Sequence, residues 1–186
     1  MNLLRSINIA DDRARADVIA AYRPTRKSLQ VVRAVCGLER SSATHVVAPY
    51  GAGKSLAALA GITLLAGDPA ITRQLRARIA AVDPALGAAE PDGATLLLLL
   101  HGACPDLAAE LAERAEVEPG SLSEVLAAIL RRARSDGVVQ IAIVWDEFGQ
   151  HLETLVREGR PEDLLAVQDL AEWAVRRTEP RVTLTT

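Results

Sequence analysis

Residues 44–55 read Thr-His-Val-Val-Ala-Pro-Tyr-Gly-Ala-Gly-Lys-Ser, a short β-branched run followed by a glycine turn, and an alanine- and leucine-rich helical stretch comes next. From Ala48 to Ser55 the stretch fits the phosphate-loop pattern G-x-x-x-x-G-K-[ST], with alanine in place of the first glycine. The chemistry needs each part. Gly51 and Gly53 let the backbone curl so that successive N–H groups face one anion, and the helix beginning near Lys54 adds its positive end. Lys54 supplies a point charge for the β and γ phosphates, and the Ser55 hydroxyl is a ligand for Mg²⁺. The expected nucleotide-binding set is Pro49, Tyr50, Gly51, Ala52, Gly53, Lys54, Ser55 and Leu56. Taken alone, the stretch could be a glycine-rich turn capping a helix.

A second element decides against that. Such a loop requires an acid at the end of another buried strand to hold the magnesium shell, and Ile141-Ala142-Ile143-Val144-Trp145 runs directly into Asp146. Asp146 is therefore paired with Ser55 as the expected metal set, in the arrangement known as Walker A and Walker B. Glu147 follows at once, placing a carboxylate where it can polarise an attacking water, so the Asp-Glu pair points to hydrolysis. Glu147 and Lys54 are the expected catalytic residues. The competing role for Glu147 is to cap the helix after it.

Outward from these motifs, short β-branched runs alternate with longer helical ones, the pattern of an α/β fold with a mostly parallel sheet. Residues 1–24 read as an arm, and 25–38 as a helix with Thr25 as N-cap. Strands are expected at 44–48, 94–101, 138–145 and 181–186. Helices are expected over 54–65 with Gly67 as C-cap, 71–82, 105–116, 121–134 and 161–177, with 83–93 a connection. The Leu-rich run 94–101 suits a strand buried on both faces. The division is an N-terminal arm and linker helix over 1–42, then a core over 43–186.

Composition narrows the class. The chain has 186 residues, 49% hydrophobic, 24% charged and 3% aromatic, which excludes a disordered tail and a small disulfide scaffold. Net charge is −3, with 21 basic and 24 acidic residues interspersed, so no broad basic field advertises nucleic acid or an acidic membrane. Cys36 and Cys104, without a secretory signal, make a reduced cytoplasmic setting the default. The longest apolar run falls far short of the roughly 18 to 20 residues a membrane-spanning helix needs.

On these residues the chain resembles the P-loop ATPases with an added strand and a catalytic glutamate, the group of AAA-type and RecA-type motors. The resemblance covers about residues 40–186. It implies a three-layer α/β sandwich with sheet order 5-1-4-3-2, the loop after strand 1 and Asp146 ending strand 3. Strand 5 would lie beyond Thr186, so the chain is expected to be the front portion of a larger protein. The cofactors implied are ATP and Mg²⁺. More narrowly, D-E-F-G-Q-H-L-E at 146–153 and the helix at 163–174 are similar to large ATP-binding proteins of bacterial antiphage clusters of the BREX and Pgl type. That implies a multidomain ATPase working with partner proteins on DNA, its energy driving conformational change. The alternative is a nucleotide switch that binds ATP or ADP without turning it over, which uses the same binding residues.

Other residues carry two readings each. His101 ends the second strand, where it either contacts Glu147 or is a plain strand-end histidine. His151, one turn after Asp146, is expected in solvent, and His45 is expected to be structural. Tyr22 either stacks on a base or is packed beside Pro24. Trp145 and Trp173 read as core or interface anchors. Arg131, Arg132, Arg134, Arg176 and Arg177 lie at helix C-terminal ends as solvated partners of the helix dipoles.

Overall fold

The computed structural model describes residue 9 and residues 16–49, 51–160 and 163–186. The readings placed on Tyr50, on Pro161 and on most of the N-terminal arm lie outside these residues.

Helices α1 (Ala16–Ala21) and α2 (Arg26–Val35) lead into strand β1 (Ala43–Thr44). Helices α3 (Lys54–Ala66), α4 (Pro69–Ala80) and α5 (Pro84–Ala88) then connect to β2 (Ala94–His101). Next come α6 (Leu107–Arg114), α7 (Leu122–Ser135) and β3 (Val138–Asp146). The described chain finishes with α8 (Phe148–Glu158), α9 (Asp163–Arg176) and β4 (Arg181–Thr185). The four strands form one all-parallel sheet in the order β1-β4-β3-β2.

Alternation along the strands divides the core into two faces, because successive side chains of a strand point to opposite sides. Leu98, Leu100, Ile141, Ile143, Trp145, Val182 and Leu184 pack with α6, α7 and α9. Leu99 and Val144 pack on the other side against α1 to α5. Both faces are thus covered by helices, which is why Leu96–Leu100 of β2 and Ile141–Trp145 of β3 are apolar without alternation.

The central helix on the second face is α3, whose residues Ala57 to Leu64 are all buried. It carries apolar side chains all round, as a helix enclosed by others must. It lies so close to α2 that a Cβ at Gly61 would come within 2.8 Å of the Val35 Cβ. The N-termini of α2, α4, α5 and α6 are capped by the side chains of Thr25, Asp68, Asp83 and Asp106. Each cap satisfies one of the amides that a helix start leaves unpaired.

Several elements differ from the sequence expectation. The strand expected over 44–48 is only Ala43–Thr44. Among the described residues β1 pairs on one side alone, and its ladder with β4 ends at the bond from Val46 N–H to the Thr186 carbonyl, 2.7 Å. Val47, beyond it, is 84% exposed, so the Val-Val pair overstates the strand. The helix expected over 71–82 begins earlier, since Asp68 caps it and Pro69 suits its first turn. The connection 83–93 contains α5, started by Asp83 in the same way. Helix α8 corresponds to the helix after Glu147, for which the expectation gives no bounds. Among the described residues no helix is long and apolar enough to cross a membrane.

Candidate functional site

The connection leaving β1 goes to the face of α3, whereas that leaving β3 leads to α9 on the opposite face. Where neighbouring connections part in this way, a crevice opens at the carboxyl ends of the strands, the usual ligand position in parallel α/β sheets. Both sequence motifs lie at that crevice. Pro49 and Gly51 to Gly53 are exposed there, and Lys54, Ser55 and Leu56 are half-buried in the first turn of α3.

Gly51 and Gly53 have φ of +77° and +81°, in the left-handed region that side chains disfavour. Gly53 is the N-cap of α3, and no side chain caps that helix. The amides at its start therefore face the crevice without the side-chain acceptor that α2, α4, α5 and α6 have. Lys54 Nζ donates to the carbonyls of Ala48 at 2.7 Å and Pro49 at 3.2 Å, which places its ammonium across the mouth of the loop.

The loop and the third strand meet directly. Ser55 Oγ donates to Asp146 Oδ1 at 2.9 Å, and the Glu147 amide donates to the same oxygen at 3.1 Å. Asp146 Oδ2 is buried and has no hydrogen-bond partner. Burial raises the Asp146 pKa above the usual carboxylate value, opposed chiefly by the bond from Ser55. An orphaned carboxylate oxygen beside a hydroxyl suits a hard cation, and Mg²⁺ in particular takes few protein oxygens and fills its shell with water and phosphate. Among the described residues no group of three or more His, Cys, Asp or Glu side chains could hold a metal without such help.

Glu147 is the N-cap of α8 with φ 55° and ψ 32°, a left-handed conformation for a residue with a side chain, and that side chain makes no capping bond. The capping role is therefore not the one Glu147 performs. Its Oε2 accepts from Gln150 Nε2 at 2.6 Å and lies 3.5 Å from His101 Nε2. The register that pairs His101 with Asp146 across β2 and β3 brings the histidine there. Of its two readings, contact with Glu147 is the one observed.

Gln150 was not singled out in the sequence. Its spacing of three from Glu147, one helical turn, is the signal that could have found it. Comparisons of the chain with protein-family models, with curated proteins and with solved structures find no match.

Beneath this surface lies an aromatic cluster. Trp145 packs edge-on to Phe148 at 5.0 Å and against His151 at 4.6 Å, and His45 meets Phe148 at 5.7 Å. Trp145 Nε1 donates to the Gly102 carbonyl at 3.0 Å, tying β3 to the end of β2. His151 is buried rather than solvated, because Phe148, His151 and Leu155 recur at helical spacing on one face of α8 and His151 packs there against Trp145 of β3. Its Nδ1 accepts from the Cys104 amide at 3.3 Å, which fixes the proton of the neutral ring on Nε2. Tyr22 is likewise buried, its hydroxyl 2.9 Å from Ser28 Oγ, so it is packed and does not stand free to stack on a base.

Two predictions follow from these environments. Burial holds the His151 pKa below 6.5, with the Asp163 carboxylate opposing that shift and Arg160 adding to it. The unfolded chain then takes up a proton near 6.5 while the folded chain waits for lower pH. Its contribution to stability is complete above 6.5 and is lost as pH falls below it. The urea midpoint measured by Trp fluorescence should drop less in His151→Phe than in the wild type between about pH 7.5 and about pH 5.5; equal drops would contradict the assignment.

Glu147→Gly relieves the left-handed strain and should leave the fold as stable or up to about 1 kcal/mol more stable. A loss above about 1 kcal/mol in the same measurement would show that the side-chain contacts outweigh the strain.

Proposed function

We propose that the chain binds ATP with Mg²⁺ and hydrolyses it, as the P-loop ATPase core of a larger assembly. The observation that carries this reading is the bond between Ser55 and Asp146, with the second Asp146 oxygen buried and unpartnered beside it. The strand order β1-β4-β3-β2 supports it, being that of the P-loop ATPases with the fifth strand left out. An uncapped helix following a loop with two left-handed glycines is the form a phosphate cradle takes.

In this reading Lys54 exchanges its bonds to Ala48 and Pro49 for phosphate oxygens, and the amides of Gly51 to Leu56 line the anion. Ser55 and Asp146 would hold the metal, whose chemistry is to neutralise charge that builds on the phosphates. Glu147 orients the attacking water and accepts its proton. A likeness to the ATPases of antiphage clusters extends the proposal to partner subunits and DNA as the objects of the work done.

A second reading, nucleotide held as a structural ligand without turnover, draws on the state of Glu147. Its Oε2 is already engaged by Gln150 and His101. An oxygen held in this way must be released before it can meet an attacking water.

Affinity for a fluorescent ATP analogue and steady-state phosphate release, measured together on the full-length protein, separate the two. Lys54→Ala should weaken binding by roughly ten- to a hundredfold, the worth of hydrogen bonds to a charged group. Glu147→Gln should bind as the wild type does and release no phosphate. Phosphate release by Glu147→Gln at the wild-type rate would remove Glu147 from the reaction, and its absence from the wild type would favour the switch.

A further inference from the structure

Away from the crevice, on the face of the first core cluster, α7 and α9 leave a groove of about 460 Å³ between them. Its floor is apolar. Leu122, Leu126 and Leu130 recur every four residues along α7, and Trp173 of α9 stands opposite. Its rim is cationic, with Arg131 and Arg134 on α7 and Arg176 and Arg177 at the end of α9. Only Asp169 and Glu172 oppose them, and Glu172 is already paired with Arg176 at 2.6 Å.

The sequence reading of these arginines as partners of the helix dipoles accounts for part of the set. Arg134 donates to the Glu179 carbonyl at 3.2 Å, and Arg176 is spent on Glu172. The side chains of Arg131 and Arg177 have neither a hydrogen bond nor an ion pair among the described residues. On a chain whose formal charge is −3, two uncommitted guanidinium groups beside an apolar trough are a local reversal of sign. Such a reversal selects for an acidic partner by both attraction and orientation.

We infer that the groove between α7 and α9 docks an acidic amphipathic helix of a partner protein. A ridge of leucines at four-residue spacing is the complement of a helix that presents apolar residues at three- and four-residue intervals. Guanidinium groups on the rim suit carboxylates flanking such a stripe, because they offer planar paired donors. Nucleic acid fits the groove less well. A phosphate backbone gains nothing from an apolar floor.

The test is a selection of helix-forming peptides from a displayed library against the full chain, followed by affinity measurements on the wild type, Arg131→Glu/Arg177→Glu and Arg131→Gln/Arg177→Gln. These side chains are exposed, and circular dichroism and melting temperature should not move.

Selected peptides should carry apolar residues at helical spacing with Asp or Glu beside them. Their affinity should fall roughly tenfold in the charge-reversed protein and by less in the glutamine variant, and it should weaken with salt. Equal binding by all three proteins overturns the proposal. So does a short DNA duplex whose binding is lost in the charge-reversed variant while peptide binding is kept. Sedimentation showing that the wild type pairs with itself, and that the reversed variant does not, would overturn it in favour of a second copy.

Discussion

The hydrogen bond from Ser55 to Asp146 holds together two elements that are far apart in the chain, the first turn of α3 and the last residue of β3. It can form only if β3 lies near enough to β1 for α3, the first helix after β1, to reach it, and the parallel order with β4 between them meets that condition. The same order sends the connections from β1 and β3 to opposite faces and opens the crevice in which both residues sit. A buried carboxylate with one oxygen unpaired is costly. It persists here because the surrounding strands are fixed by two apolar cores, one on each face of the sheet.

Glu147 depends on that arrangement from the next position along. Its left-handed backbone turns the chain abruptly from β3 into α8, and the turn directs the carboxylate toward β2, where Gln150 and His101 meet it. Below it, Trp145 and His151 tie the ends of β3 and β2 and the start of α8 into one packed unit through Gly102 and Cys104. A displacement of the β2 end would therefore move His101 relative to Glu147. Glu147 is thus held by contacts that a small shift of neighbouring elements can alter.

Much of this was legible in the sequence. Gly51, Gly53, Lys54 and Ser55 fit the phosphate-loop pattern by residue type, and the two glycines have the left-handed backbone such a turn needs; the apolar run into Asp146 marks a buried strand by its length and ending. The order of the four described strands, β1-β4-β3-β2, agrees with the one that the resemblance to P-loop ATPases implies. What was missed has particular causes. The β-branched pair at Val46 and Val47 reads as strand, yet pairing needs a neighbour, and a one-sided ladder ends sooner than propensity suggests. His151, expected in solvent, is buried, and Phe148 and Leu155 at helical spacing from it carry the signal of an inward face. Gln150 carries no special residue chemistry and acquires its role only from the turn that brings it beneath Glu147. The groove between α7 and α9 is a property of two helices' relative placement, which no pattern within either one encodes.

The central claim is that Ser55 and Asp146 act as one magnesium-dependent nucleotide site. Its most direct test is the affinity for a fluorescent ATP analogue, titrated with and without Mg²⁺, in the wild type, Ser55→Ala, Asp146→Asn and the double variant. The account predicts that Mg²⁺ tightens wild-type binding roughly tenfold or more, that each single variant loses that gain, and that the double variant loses no more than either. Magnesium dependence left intact in Asp146→Asn would contradict it.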